Sequence, residues 1–595
     1  MYPAIPACVR APGFVLGALL VTSLAAYAQP VVPSPAAPFP VSIQVDATKS
    51  VGEMKPFWRF FGADEPNYAT MKDGRKLIAE LGELRPKDSP QPTYFRAHNL
   101  LTSGDGTPAP KWGSTNAYTE DAQGRPIYNW TILDNIFDTY LARGVRPYAQ
   151  IGFMPQALSL HPEPYQHDWR PGSGNLATGW ASPPKDYEKW GELAYQWAKH
   201  CVERYGKAEV EKWYWEVWNE ANITPYWPRT ATPEEFYKMH DYAIAGVRRA
   251  LPTARVGGMD SAGTGGKFMT DFIEHVLRGT NYATGQKGTP LDFISFHAKG
   301  SPTYVDANGR AVTTGGHVRM GIASQLRNLS DEFAIVASHP ELKNTPIIIG
   351  ESDPDTCAAC TAQVYPQNNY RNGALFASYS AATFGRELAM ADRAGVNLEG
   401  VTSWAFEFED QPYFAGFRVL ATNGIDLPVL NTFRMFSKMS GQRVAVTSSH
   451  EIPVNAIIQN GVRGEQADVA SLASLDANKL AVLVWHYHDD DVPGSAADVT
   501  LALAGLPAAA NGNAKLTHWR IDDEHSNAFT AWKKMGSPAG PNNNQYRALV
   551  AAGQLGQLAG APAVVTVANG AATLKFALPR QGVSLVVLEW GAAAN

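Results

Sequence analysis

KWYWEVWNEAN, Lys212 to Asn222, sets three tryptophans and a tyrosine ahead of Asn219-Glu220. A run this apolar, ending abruptly in an amide and a carboxylate, reads as a strand buried on both faces that surfaces where polar side chains are needed. Seven further runs share the pattern: FWRFFGAD (57–64), TYFRAHN (93–99), RPYAQIGF (146–153), RVGGMDS (255–261), DFISFHAK (292–299), TPIIIGES (345–352) and GVTSWAFE (400–407). Helical periodicity fills the gaps between them. TILDNIFDTYLARG puts Leu133, Ile136, Phe137, Tyr140 and Leu141 on one face and Gly144 just past its end. TPEEFYKMHDYAIAGVRRALP opens with Thr232, Pro233 and Glu235, a capping box with proline at the first turn, and closes on Arg248-Arg249. Strand–helix alternation repeated eight times predicts an α/β chain folded as a (β/α)8 TIM barrel. The tryptophans before Glu220 are expected to alternate between the barrel interior and the helix layer.

The texture changes near residue 440. Short alternating runs such as NKLAVLVWHYH, ADVTLALAGL and VSLVVLEW, separated by Gly, Ala, Pro and Asn, read as a C-terminal β-sandwich. The domain reading is a signal peptide at 1–28, a linker with an N-terminal strand joining the sandwich at 29–48, the barrel at 49–440 and the sandwich at 441–595. The signal reading rests on Arg10, an apolar run from Phe14 to about Ala26, and the small-x-small site AYA before Gln29. It implies export to a periplasm or beyond the cell. An oxidising compartment would permit a Cys357–Cys360 bridge across CAAC, with two free thiols as the alternative. Cys201, on the apolar side of its helix, reads as an inert core thiol.

The 595 residues carry a net charge of −6 and are 45% hydrophobic and 18% charged, as in an ordinary soluble protein with a large core. No Lys/Arg cluster of nucleic-acid type is present, so nucleic acid is not an expected partner, and no segment after the leader reads as membrane-inserted. The glycines of RVGGMDSAGTGG lack the order of a phosphate-binding motif.

In (β/α)8 proteins the chemistry sits at the C-terminal ends of the strands. Those ends carry Asp64, His98-Asn99, Gln150, Asn219-Glu220, Asp260, His297, Glu351 and Glu407. Glutamates on the fourth and seventh strands suit glycoside hydrolysis, in which one carboxyl protonates the leaving oxygen and the other attacks the anomeric carbon. Glu220 is the candidate acid and Glu351 the candidate nucleophile. A glutamate at either position alone equally suits a helix cap or an arginine partner. The reaction requires no metal and no cofactor, and none is expected.

At these residues the chain resembles glycoside hydrolase family 39. EVWNEAN is similar to the family's acid/base segment, RPYAQIGFMPQALS to its third strand, YFRAHNLLTSGDG to its second, DFISFHA to its sixth and VTSWAFEFED to its eighth. FAGFRVLATNGIDLPVLNTFRMFSKM resembles the stretch that leaves the barrel, so the similarity spans roughly residues 50–445. The resemblance implies Glu220 as general acid/base and Glu351 as nucleophile of a retaining, β-xylosidase-like enzyme. It also implies that Asn219 bonds the 2-hydroxyl of the sugar under attack, that His98 reaches the same sugar and that His297 stands beside the nucleophile. Three departures bear on the sugar: Lys299 and Ser352-Asp353 replace an expected tyrosine and tryptophan, and the eighth strand reads WAFEFEDQPYF. Trp404, Glu407, Glu409 and Lys299 are therefore counted as substrate-binding candidates. Lys299 could instead form a structural ion pair with Asp353 or Glu407.

The expected partner is a carbohydrate. Release of pentoses, xylose or arabinose, from plant-type or other extracellular glycans is the leading expectation. An endo-acting or disaccharide-releasing enzyme and a catalytically inactive sugar-binding barrel are the alternatives. Two long loops, 101–126 and 161–184, carry Trp112, Trp169 and Trp180, which either stack sugars or pin the loops down.

Overall fold

The structure, a computed structural model, describes residues 37–85, 91–172, 176–263 and 265–591. The expected signal peptide and most of the linker lie outside the described residues. From Ala37 onward the chain forms one compact unit.

The first strand, β1 (Phe39–Glu53), enters the C-terminal sheet. The next eight close a parallel barrel in chain order: β2 (Phe60–Ala63), β3 (Thr93–Ala97), β4 (Val145–Ile151), β5 (Tyr214–Val217), β6 (Arg255–Ser261), β7 (Phe293–Lys299), β8 (Pro346–Asp353) and β9 (Asn397–Ser403). Each is followed by a helix of the outer layer: α1 (Lys72–Gly82), α2 (Thr131–Leu141), α3 (Tyr187–Tyr205), α4 (Pro233–Ala250), α5 (Gly266–Arg278), α6 (Ile322–Ala337), α7 (Ala374–Ala394) and α8 (Pro428–Phe436). Helix α4 starts on the capping box read from its sequence, with Thr232 and Glu235 bonding each other's backbone N–H.

The floor of the barrel is aromatic. Phe60, Tyr94, Tyr148, Tyr214, Phe293 and Ile348 converge there from six strands. In β5 the inward positions are thus Tyr214 and, one layer up, Glu216. Trp213 and Trp215 share the opposite face and pack outward, Trp215 on Trp197 of α3 and Trp213 on Phe137 of α2. The expected alternation of tryptophans between interior and helix layer is corrected: residues two apart on a strand lie on the same face. The interior needed smaller or hydrogen-bonding side chains, and indole bulk went to the helices.

The chain beyond the barrel forms β10 (Gln442–Ser448), β11 (Asp468–Asp476), β12 (Lys479–Tyr487), β13 (Ala497–Ala504), β14 (Gly512–Ile521), β15 (Val564–Val567), β16 (Ala572–Leu578) and β17 (Val583–Glu589). With β1 they make a nine-stranded mixed sheet in the order β15-β14-β17-β12-β11-β10-β1-β13-β16. Strand β1 pairs antiparallel with β10 and parallel with β13. In β12, Leu480, Val482 and Val484 fill the sandwich core, while Leu483, Trp485 and Tyr487 join the barrel's core. Arg386 of α7 closes the seam with a two-pronged bond to Asp468 of β11, at 2.7 and 2.8 Å. Two helices, Ala528–Lys534 and Asn543–Gly553, are inserted between β14 and β15. Among the described residues no helix is long and apolar enough to cross a membrane.

Candidate active site

Above the aromatic floor the barrel turns polar. Arg96 of β3 is fully buried, and an arginine is tolerated there only when its donors are paired. Its Nε donates to Glu216 at 2.5 Å, one Nη donates to Asn219 Oδ1 at 3.1 Å and pairs with Asp260, and the other donates to His98 Nε2 at 3.2 Å. Glu216 also accepts from the Tyr148 hydroxyl at 2.7 Å and from Ser295 at 2.5 Å. Burial lifts the Glu216 carboxyl to about 7 against the opposing pull of Arg96. Neither Arg96 nor Glu216 stood out as a site residue in the sequence. The available signal was parity: residues 94, 96 and 98 share one strand face, so Arg96 had to lie beneath His98 inside the barrel.

Strand β5 ends at Val217, and the backbone then twists through left-handed conformations at Trp218 (φ 70°) and Glu220 (φ 47°). Non-glycine residues rarely occupy this region, and such strain concentrates at functional sites. Gln150 of β4 holds the Trp218 carbonyl at 2.6 Å, and the Glu220 N–H donates to the Asp260 carbonyl at 2.9 Å. Asn219 is completely buried. Arg96 occupies its Oδ1, while its Nδ2 has no partner among the described residues.

A single imidazole links the two candidate glutamates. His297 of β7 donates from Nδ1 to Glu220 Oε1 at 2.8 Å and from Nε2 to Asp260 Oδ2 at 2.7 Å, with Glu351 Oε1 3.7 Å from the same Nε2. Burial alone would push this imidazole down, but Asp260 and Glu351 outweigh it and hold it up at about 10. His297 is therefore a doubly donating cation at neutral pH. Burial would conversely push Glu351 up, yet the charges of His297 and Lys299, joined by Arg96, hold it down at about 2. Lys299 Nζ lies 2.5 Å from Glu351 Oε2 and 2.8 Å from Asp353. Glu351 is thus an ionised carboxylate ringed by cations and hydrogen-bond donors.

His98 stands on the other side of Glu351, its Nε2 at 3.7 Å. Its Nδ1 donates to Asp64 at 3.0 Å, and burial lowers its affinity for a proton, so it serves as a neutral ring with a fixed tautomer. Asp64 also accepts from Trp404 Nε1 at 3.1 Å and pairs with Lys111, whose loop position gave no sequence signal. Trp404 covers the cluster, its ring 4.4 Å from His98 and 4.9 Å from the Arg96 guanidinium. The neighbouring strand leaves room for it at Gly62, where a Cβ would lie 2.2 Å from the indole.

Glu220, Glu351, Asn219, His98, His297, Lys299 and Trp404 thus belong to one bonded cluster. Glu407 and Glu409, also expected among the substrate-binding residues, lie outside this cluster. Glu407 is buried and accepts from the Gly424 N–H, while Glu409 accepts from the N–H groups of Asp73 and Gly74 in the first turn of α1. An acidic group at a helix N-terminus satisfies otherwise unpaired donors, which accounts for Glu409 without a ligand. Lys299 accordingly pairs with Glu351 and Asp353, not Glu407.

Of the loop tryptophans, Trp112 and Trp180 are buried against Tyr165, His167 and Phe153 and hold their loops together. Trp169 remains half exposed. Cys357 and Cys360 form a disulfide in the loop after β8, and Cys201 is buried in α3. Among the described residues no group of three or more His, Cys, Asp and Glu is arranged to hold a metal ion.

The family model described as Glycosyl hydrolases family 39 matches residues 41–567. A β-xylosidase of Geobacillus stearothermophilus is 24% identical over 559 residues, covering 90% of this chain and 93% of that protein. An α-L-iduronidase of Homo sapiens is 26% identical over 612 residues, covering 97% of this chain and 82% of its own. A monomeric β-xylosidase structure from Caulobacter crescentus CB15 shares the fold with a TM-score of 0.70 at 19% identity, over 93% of this chain and 100% of its own. With the family pattern running through both the barrel and most of the sheet, the chain belongs to glycosyl hydrolases family 39 and is a retaining O-glycosyl hydrolase.

Proposed function

We propose that this protein is an exported glycosidase that releases pentoses from neutral extracellular glycans by a two-step displacement at Glu351. The reading is carried by the placement of the two glutamates about one imidazole: His297 Nδ1 lies 2.8 Å from Glu220 and its Nε2 lies 3.7 Å from Glu351, with Lys299 against the other oxygen of Glu351. Glu351 attacks the anomeric carbon as Glu220 gives a proton to the departing oxygen. Glu220 then takes a proton from the water that hydrolyses the glycosyl-enzyme bond. His297 orients Glu220 through its Nδ1 hydrogen bond and stabilises the carboxylate that Glu220 becomes once its proton has left. The unpartnered Nδ2 of Asn219 is available to a substrate hydroxyl, since Arg96 has already fixed the other end of the amide. Export is supported by the residue pattern of 1–28 and is compatible with the disulfide.

A uronic-acid sugar is a second reading, favoured by Lys299 beside the nucleophile and by the likeness to an α-L-iduronidase. Weighing against it, the cations around Glu351 already have acidic partners: Lys299 has Glu351 and Asp353, Arg418 has Asp355, Lys111 has Asp64, and Arg96 has Glu216 and Asp260. A sugar carboxylate would have to displace one of them.

The test is incubation of residues 29–595 with aryl xylosides, arabinosides and uronides, following the anomer first formed by NMR. Glu351→Ala should abolish turnover of every substrate. Glu220→Ala should cost about 10²–10⁴-fold on natural glycans, the usual contribution of a general acid, and far less on substrates with activated leaving groups. Equal, small losses in both variants would remove the assignment, and selective cleavage of uronides would establish the second reading.

A further inference from the structure

The loops that follow β8 and β9 build a second feature on the catalytic face. Residues 359–369 form one wall of a cleft of about 740 Å³, and residues 411–417 form the facing wall. Trp169 contributes from the long loop after β4, and Trp532 from the helix inserted into the C-terminal sheet. Rings dominate the lining: Trp169, Tyr413 and Trp532 are each half buried, so part of every ring faces the cleft. The amides of Gln363, Asn369 and Gln411 accompany them, and among the described residues none that lines the cleft carries a charge.

The cleft is built to hold its shape. Arg371 is buried between the walls and donates to the Cys360 carbonyl on one side at 2.6 Å and to the Gly416 carbonyl on the other at 3.0 Å. Ala362 N–H donates to the Ala415 carbonyl at 3.0 Å, and Asn372 holds the Phe414 carbonyl at 2.8 Å. Phe414 itself is kept in the left-handed region at φ 52°, an unfavourable conformation for an aromatic residue that the surrounding bonds impose. The Cys357–Cys360 bridge fastens the root of the first wall. Ordering these walls in advance reduces the entropy lost when a ligand binds.

The same walls reach the reaction centre. Arg418, at the end of the second wall, donates to the Trp404 carbonyl at 3.0 Å and to Asp355, and lies 3.6 Å from Asp353. Asp353 is the carboxylate that holds Lys299 against Glu351.

We propose that this cleft binds the sugars of a neutral oligosaccharide that lie beyond the one attacked at Glu351. The inference rests on the glycosidase reading above and adds the substrate class to it. Rings accept the C–H faces of sugars, and flanking amides match paired hydroxyls, the mixed lining expected of a specific site. An anionic chain would lose hydration there and find no cation to replace it. Trp532 gives the C-terminal unit a direct part in recognition.

Kinetics on substrates of two lengths test this. Trp169→Ala, Tyr413→Ala and Trp532→Ala should leave kcat/KM on the preferred aryl glycoside unchanged, and should lower it on the matching hexasaccharide by about tenfold each, the loss expected for one well-packed ring. Tyr413→Phe should retain most of the hexasaccharide activity, which separates ring stacking from damage to the loop. In parallel, Glu351→Ala protein is titrated with xylo-, arabino-, cello- and mannohexaose and with a heparin-derived hexasaccharide. Binding of a neutral hexamer that weakens in the three alanine variants supports the cleft. Equal losses on short and long substrates, no binding of any neutral hexamer, or tighter binding of the heparin fragment would overturn it. Absence of aryl-glycoside hydrolysis by the parent protein would instead count against the glycosidase reading itself.

Discussion

At the scale of single residues, the site works by opposed charges whose ionisation is set by their neighbours. Glu351 lies at about 2 against an ordinary 4.5, and His297 at about 10 against 6.5. A carboxyl depressed on folding contributes stability that is complete above about pH 4.5 and lost as pH falls toward 2. An imidazole raised on folding contributes stability that is complete below about 6.5 and lost as pH rises toward 10. The contributions of these two groups are both complete between about pH 4.5 and 6.5, and one or the other declines on each side. Melting temperatures across pH for the parent and His297→Gln check this: the variant should fall less steeply on the alkaline side, and parallel curves would mean that His297 is not the group involved. Gly350 offers a steric test of the same cluster. A Cβ there would lie 1.9 Å from Asp260 Oδ1. Gly350→Ala should shift Asp260 and with it His297, lowering kcat by about a hundredfold, as for a 1 Å misplacement of catalytic groups. Retention of parental kcat would show that Asp260 does not position His297.

At the scale of elements, eight apolar runs and their intervening helices were legible because each strand is buried on both faces and each helix on one. That makes period and length sufficient signals. The cap of α4 was legible for the same local reason: Thr232 and Glu235 are three residues apart and bond each other's backbone. Thr232→Ala should cost about 1 kcal/mol in urea denaturation and leave kcat unchanged, since the cap lies at the start of a helix and touches no site residue. A change in kcat would imply that the loop after β5 depends on this cap. Glu409 shows the opposite case. It caps α1 from a loop more than three hundred residues later, so its sequence context resembled that of a site residue, and only the packed structure identified the helix end it serves. The tryptophans of β5 were misplaced because composition does not report which parity faces the barrel axis. Tyr214 on the aromatic floor settles that.

At the scale of the molecule, one face of the sheet joins the barrel's core while the other packs in a core of its own. Leu483, Trp485 and Tyr487 of β12 pack with the barrel's outer helices, and the Arg386–Asp468 bond crosses the seam, where Trp485 Nε1 also donates to Asp468 at 2.9 Å. Asp468→Ala would leave Arg386 buried without its partner. The loss should be about 3–5 kcal/mol, measured by chemical denaturation, with kcat of the folded fraction unchanged. A loss below 1 kcal/mol would mean that the seam is not held by this pair. Fold class, the two glutamates and the residues beside them were written in short stretches of sequence, because strand burial, helix caps and strand-end chemistry act over a few neighbouring positions. The ionisation of Glu351, the role of Arg96, the displacement of Glu407 and Glu409 from the site, and the joining of two distant loops into one cleft emerge only when the chain closes. Each depends on charges, carbonyls or rings brought together from strands far apart in sequence, and neither Coulomb interactions nor burial follow the order of the chain.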